Sequence, residues 1–222
     1  MVYCPRAVIF DMDGLLVDSE PVWNAAERAV ITARGRVHDV ARQVGMVGLR
    51  LDEYWSKMAA IYELEEQVTT LIEDVVGRMR AAVGEQAQPR PGARELLAFL
   101  EAHRVPIALA SSSPNVIIDT VVESKGWLNH FTIRVSGDEV AHGKPAPDVY
   151  LEAARRLGAD PAHTLALEDS VNGARAAVAA GMTCFAVPDL SHATRAAFDG
   201  VTPHVYDSLH DVLAALQDCA FA

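Results

Sequence analysis

Ala7-Val8-Ile9-Phe10-Asp11-Met12-Asp13-Gly14-Leu15-Leu16-Val17-Asp18-Ser19-Glu20 is the stretch whose reading decides the fold. Its first four residues form a short continuous apolar run, the pattern of a strand buried on both faces of a parallel sheet. The run ends abruptly in two aspartates spaced i, i+2 and followed by a glycine. On the Gly the chain leaves the strand line, so both carboxylates can face one crevice. In open α/β sheets the crevice outside the carboxyl ends of the strands is where ligands bind. Two carboxylates about 4 Å apart repel each other by about 4 kcal/mol at an effective dielectric near 20. A cation or a shared proton therefore belongs beside them. Taken alone, Asp-x-Asp-Gly is also compatible with an acidic turn after a strand, so the remainder of the chain must decide.

Outward from this stretch, Val22, Ala26, Ala29, Val30 and Ala33 follow helical spacing over Glu20 to about Arg34, with Ser19 as N-cap and Pro21 in the first turn. From there to about residue 87 no strand is expected. Leu51, Tyr54, Trp55 and Met58 mark one helix. Leu64, Val68, Leu71, Ile72, Val75, Val76, Met79 and Val83 mark a long amphipathic one. Residues 86 to 92, with Pro89 and Pro91, read as a return linker. Beyond it, helices and strands alternate. Strands are expected at 105–110, 132–135, 164–167 and 183–187, with a short one starting at Val205, and the last helix covers 208–217. This alternation predicts βαβ units and a parallel sheet. The fold class is α/β: a Rossmann-like parallel sheet core, residues 1–16 and 88–222, with an inserted all-α cap, residues 17–87.

The 222 residues carry 19 Lys plus Arg against 30 Asp plus Glu, a formal net charge of −11, without a basic stripe. That balance excludes nucleic acid and anionic membranes as natural partners. A phosphate ester bound by so acidic a chain needs local positive charge from a metal ion or a placed Lys or Arg. Cys4, Cys184 and Cys219 are far apart and odd in number, which fits neither a zinc site nor a disulfide framework. No apolar run reaches the ~20 residues of a membrane span, and the early first strand leaves no room for a signal peptide. A cytoplasmic location is expected; the oligomeric state is left open.

Four groups recur at strand ends or in the loop before the next helix: Asp11 with Asp13, Ser111, Lys144, and Glu168 with Asp169. Singly, such a serine can be a helix cap, such a lysine a solvated loop residue, and the Asp169-Ser170 pair another cap. Together, in a βαβ sheet, they converge into a phosphoryl-transfer constellation.

In order, Asp11-x-Asp13, Ser111, Lys144-Pro145 and Glu168-Asp169-Ser170-x-x-Gly173 resemble the four motifs of the haloacid dehalogenase superfamily, over essentially the whole chain. The resemblance implies a Rossmann-like core with a mobile cap and an Mg²⁺-dependent phosphatase. In that scheme Asp11 is the nucleophile, Asp13 the general acid and base, and Lys144 the neutralising cation. Mg²⁺ sits on the Asp11 carboxylate, the Asp13 backbone carbonyl and Asp169, while Glu168 ligates the metal or orients its waters. Ser111, Ser112 and Asn115 serve the phosphoryl oxygens.

Gly48-Leu49-Arg50 lies where related sugar-phosphate enzymes carry a substrate-contacting loop, so Arg50 either holds a distal phosphate or sugar oxygens or is simply exposed. Asp18-Ser19-Glu20-Pro21-Val22-Trp23 is similar to the sugar-phosphate phosphatase branch, and Trp23 shapes the sugar pocket or packs within the first cap helix. The expected partner is a small phosphorylated metabolite, above all a sugar phosphate. Rival readings are a β-phosphoglucomutase-type isomerase, where a histidine stands in place of Trp23, a haloacid dehalogenase, and a phospho-accepting signalling module without turnover. Asp13 and Asp169 argue against the dehalogenase, and the cap and chain length argue against the signalling module.

Overall fold

In a computed structural model, residues 4–43, 45–219 and 221 are described. The central sheet has five parallel strands in the order β5-β4-β1-β6-β7. Here β1 is Ala7–Phe10, β4 Ile107–Ser111, β5 Arg134–Ser136, β6 Thr164–Glu168 and β7 Thr183–Ala186. The run read as a doubly buried strand is the middle one, and all four of its residues are buried. It pairs on one side with β4, Phe10 opposite Leu109, and on the other with β6, Phe10 opposite Leu167.

Strand residues point alternately to the two faces, and each face has its own core. Val8 and Phe10 pack with Leu109, Leu165 and Leu167. Ile9 packs with Ala108, Ala110 and Ala166. Helices α4 (Ala93–Ala102), α5 (Asn115–Ser124) and α8 (Leu209–Leu216) contribute their apolar residues to the first face. Helices α6 (Asp148–Leu157) and α7 (Val171–Ala179) contribute theirs to the second. The second face is rich in alanine, so α6 and α7 lie close to the strands they cover.

Between β1 and α4 the chain inserts three helices, α1 (Glu20–Ala33), α2 (Leu51–Tyr62) and α3 (Val68–Gln86). The buried stripe of α3, formed by Leu71, Val75, Met79 and Val83, joins the same apolar cluster as Ile117, Ile118, Val121 and Val122 of α5. Gly84 brings α3 close to Thr120 and Ser124, and Lys125 Nζ donates to the Gly84 carbonyl at 2.9 Å. The insert therefore shares a core with the sheet domain.

Several local expectations shift. The two linkers of the insert form an antiparallel pair, β2 (Val17–Asp18) against β3 (Gln88–Pro89), too short for a sequence pattern to reveal. Ser19 precedes α1 but makes no capping bond, because its hydroxyl is used in the site described below. Helix α3 begins at Val68 rather than at Leu64. The segment at Val205 is a single bridge to Ala186 rather than a strand. Among the described residues, no helix is long and apolar enough to cross a membrane.

Gly92 marks the return into the sheet domain with φ +88°, and a Cβ there would stand 2.6 Å from the His210 amide nitrogen and 2.8 Å from the Leu209 carbonyl carbon. Both the left-handed backbone and the contact with fixed main chain oppose a side chain. Gly92→Ala is expected to lower stability by about 2 kcal/mol or more, read as a lower urea midpoint at unchanged m-value. A midpoint equal to wild type would show that the α4–α8 contact yields freely.

Candidate active site

The parallel sheet brings the carboxyl ends of β1, β4 and β6 side by side, and the polar groups cluster there. Asp11 extends β1 by one more ladder bond, its amide donating to the Leu167 carbonyl at 3.0 Å. Its carboxylate accepts a 2.6 Å hydrogen bond from Lys144 Nζ. The same ammonium donates to Glu168 Oε1 at 2.6 Å and to the Ala110 carbonyl at 3.2 Å, so its three protons all have acceptors. Lys144 is only 2% exposed. Burial alone would lower its pKa, but the Asp11 and Glu168 carboxylates outweigh that and raise it.

Glu168 is saturated. Tyr150 Oη donates to Oε1 at 2.7 Å, and Oε2 accepts from the Asp169 amide, the Ser170 amide and the Ser170 hydroxyl. Gly173 lies against this carboxylate, where a Cβ would stand 1.8 Å from Oε1.

Asp13 receives four donors. Ser19 Oγ (2.7 Å) and Trp23 Nε1 (3.1 Å) reach Oδ1 from the insert. Ser113 Oγ (2.7 Å) and Ser111 Oγ (3.2 Å) reach Oδ2 from the loop after β4. These bonds fix the carboxylate's orientation toward the chamber it lines.

Burial pushes the Asp11 carboxyl up, Lys144 opposes it, and the charges of Glu168, Asp169 and Asp13 add to the rise. Asp169 is likewise raised by burial and then by Glu168 and Asp189, with Lys144 again opposing. Such a cluster attracts a hard cation. One oxygen from each of Asp11, Glu168 and Asp169 lies within 4.8 Å of the others. Gly14 leaves free the space beside Asp169 that a Cβ would fill, 2.2 Å from Oδ2. All-oxygen donors of this kind suit Mg²⁺.

The sequence-predicted residues do not all converge. Asp11, Asp13, Ser111, Ser112, Trp23 and Asp169 line one chamber, with Lys144 and Glu168 directly behind. Trp23 both lines the chamber and packs, being 8% exposed. The Ser112 hydroxyl points to the Gly48 carbonyl at 2.7 Å. Arg50 is not at the chamber. It forms a two-bond pair with Asp52 and donates to the Val140 and Ala141 carbonyls, tying the insert to the loop after β5. Asn115, the first residue of α5, does not line the chamber either. The Arg50 expectation assumed a free side chain, and nearby acceptors have claimed it.

Sequence reasoning missed Ser113, Glu20, Glu27, Gln43 and Tyr54, which also line the chamber. It missed His192 as well, whose Nε2 stands 3.4 Å from Asp169 Oδ2. Ser113 follows Ser111 by two residues and Glu20 comes directly after the first motif, so their positions held a signal. Glu27, Gln43 and Tyr54 held none, because their convergence depends on how the insert folds.

Acids, a buried lysine and hydroxyl donors at the carboxyl edge of a parallel sheet define a site for chemistry on an anionic group. Residues 5–181 match the model of the haloacid dehalogenase-like hydrolases, and the chain belongs to that family. It is 37% identical over 188 residues to hexitol phosphatase B of Escherichia coli (strain K12), covering 82% of this chain and 83% of that protein. It is 34% identical over 212 residues, 95% of this chain, to the bifunctional riboflavin kinase/FMN phosphatase of Arabidopsis thaliana, spanning 53% of that protein's length. Among solved structures, a putative β-phosphoglucomutase from Thermotoga maritima superposes with a TM-score of 0.74 at 28% identity, covering 96% of this chain and 98% of that one. The family and the relatives named as phosphatases make this chain a phosphatase enzyme.

Two predictions follow from this geometry. Gly173→Ala must drive Glu168 away from Lys144, breaking a buried ion pair worth roughly 3 kcal/mol or more. Thermal unfolding should show that loss together with a collapse of turnover; wild-type melting would mean the carboxylate has another seat.

The second concerns Glu20. Burial pushes its carboxyl from 4.5 to about 8; His192 opposes, and Asp169, Glu27 and Asp13 add to the rise. The folded state thus keeps a proton that the unfolded chain releases, and stability falls as pH rises between those two values. In metal-free protein the melting temperature should fall more steeply from pH 5 to 8.5 for wild type than for Glu20→Gln. Parallel curves would show that Glu20 titrates normally.

Proposed function

We propose that the enzyme hydrolyses phosphate monoesters of small metabolites, above all sugar phosphates, through an aspartyl-phosphate on Asp11. The observation that carries this reading is the buried Lys144 held between Asp11 and Glu168, with Asp13 oriented by four donors beside it.

An Asp11 carboxylate oxygen attacks phosphorus as the ester oxygen departs, and Asp13 gives that oxygen its proton. Asp13 then takes a proton from water, the water oxygen bonds to phosphorus, and the bond to Asp11 breaks to regenerate the carboxylate. Lys144 offsets the negative charge that gathers around the transferring group. Glu168 acts through Lys144 as a positioning residue. Ser111 orients Asp13 and borders the phosphoryl position, with Ser113 beside it.

Asp11, Asp169 and the Asp13 backbone carbonyl would hold Mg²⁺. When bound, the ion supplies charge neutralisation that lets an anionic carboxylate meet an anionic ester. The helical insert, residues 17–87, serves as the cap over this site and supplies its substrate-facing wall. The likeness of the chain to hexitol phosphatase B supports a sugar or polyol phosphate as substrate. The neighbour named as a β-phosphoglucomutase supports the mutase as the alternative reading. Trp23 weighs against it, because the indole N–H that bonds Asp13 is a donor only and cannot pass a proton on.

Release of inorganic phosphate from an aryl phosphate and a panel of hexose and hexitol phosphates tests the reading. Turnover should vanish in EDTA and return with Mg²⁺. Asp11→Asn, nearly isosteric, should lower kcat by about a thousandfold or more. Retention of a tenth of wild-type turnover by pure variant would sink the covalent step. With β-glucose 1-phosphate and a trace of the 1,6-bisphosphate, free phosphate should outrun glucose 6-phosphate; the reverse order would establish the mutase.

A further inference from the structure

The chamber above Asp11 has two walls of different electrical character. On the sheet side the acids face Lys144 and the proposed cation position, so negative charge there is matched. On the insert side stand Glu20, Trp23, Glu27, Gln43 and Tyr54. Among the described residues that line this chamber there are five carboxylates and no lysine, arginine or histidine.

Glu27 is buried and already bonded. Its Oε2 accepts from Gln43 Nε2 at 2.6 Å, and Tyr54 stands on the same wall. His38 Nε2 lies 3.8 Å from the same oxygen, behind Gln43. Arg50, the insert cation nearest in sequence to the chamber loop, is held by Asp52 and two backbone carbonyls. Arg175 and His192 line the adjoining outer cavity, which shares Glu20, Gln43, Val47 and Ser170 with the inner chamber, and His192 Nε2 reaches Asp169 from that side at 3.4 Å. Burial above all holds the Glu20 carboxyl protonated; His192 opposes, and Asp169, Glu27 and Asp13 add to the rise. A negative group carried in by a substrate would meet those same charges.

We propose that this inner chamber selects phosphate monoesters of uncharged, hydroxyl-bearing alcohols and rejects esters that carry a second anionic group, with Glu27 as the specificity-determining residue and Glu20 as a hydroxyl-binding group beside it. The inference rests on the phosphatase reading and narrows its substrate class. Carboxyl oxygens and the Gln43 amide accept hydrogen bonds from substrate hydroxyls, while a carboxylate or second phosphate finds no cation on that wall. One unpaired like-charge contact in a partly dry chamber is enough for a tenfold to hundredfold discrimination.

A three-carbon pair tests this, being too short to carry its second group to the outer cavity. Glycerol 3-phosphate and 3-phosphoglycerate differ only in a CH₂OH replaced by a carboxylate. Each is measured, with Mg²⁺, as a substrate and as a competitor of p-nitrophenyl phosphate hydrolysis. Wild-type enzyme should favour glycerol 3-phosphate by about 30-fold or more in kcat/KM, or in inhibition constant where turnover is slow. Glu27→Gln should shrink that ratio several-fold, and Glu27→Asp, which keeps the charge, should retain it.

Equal values for the two esters in the wild-type enzyme overturn the inference while leaving the phosphatase reading intact. A ratio unchanged in Glu27→Gln overturns the assignment of the selection to Glu27. Failure to hydrolyse any of the three esters overturns the phosphatase reading itself, and this inference falls with it.

Discussion

The structure depends on one ammonium group. Lys144 sits at the centre of the sheet's carboxyl edge, where stripping water from an unpaired charge would cost several kcal/mol. It is tolerable there because Asp11 follows β1, Glu168 ends β6 and the Ala110 carbonyl belongs to β4. Three strand ends must be in register for the three acceptors to coincide. Tyr150 then closes Glu168 from the α6 side, with its ring 5.0 Å from the same ammonium. Fold and site are thus mutually conditional. The sheet order gathers the acids, and the lysine makes their gathering stable in a chain of net charge −11.

That mutual dependence explains what could be read from residues alone. A parallel sheet puts every strand's carboxyl end on one edge, so Asp11, Lys144 and Glu168 were predictable as neighbours once the strands were recognised. The apolar run Ala7–Phe10 and the alternation after residue 92 were sufficient for that. Arg50 and Asn115 were not predictable in the same way. Arg50 has a reach that extends to several partners, and the choice of Asp52 with two carbonyls is settled by tertiary contacts, as is the placement of Asn115 away from the chamber. Ser19 shows the same limit. Its place before a helix argues for a cap, yet the Asp13 carboxylate is a charged acceptor and makes the stronger bond.

The insert was legible as helices but not as a wall. Its amphipathic stripes reveal which residues are buried, and burial is what Leu71, Val75 and Met79 show. They do not reveal that α3 shares one apolar cluster with α5. Nor do they reveal that Asn172 donates to the Gly45 and Val47 carbonyls and draws the loop 45–48 over the site. Glu27 is the sharpest case. A glutamate on a helix usually faces water, whereas here it is 6% exposed and turned toward the chamber with Gln43 as its donor.

Asp13 joins the two halves of the molecule. Two of its four donors, Ser19 and Trp23, belong to the start of the insert; the other two, Ser111 and Ser113, belong to the sheet edge. Displacing α1 relative to β4 must stretch bonds to one oxygen or the other, so the carboxylate's orientation depends on how the insert is seated. The group assigned the proton transfers is therefore aligned by the same element that carries Glu20 and Glu27. Under the proposed selection, an alcohol hydrogen-bonded to those two residues would also hold α1 in the position that aligns Asp13. Proposed selection and proposed proton transfer thus share one helix, α1, which carries Trp23 as well as Glu20 and Glu27.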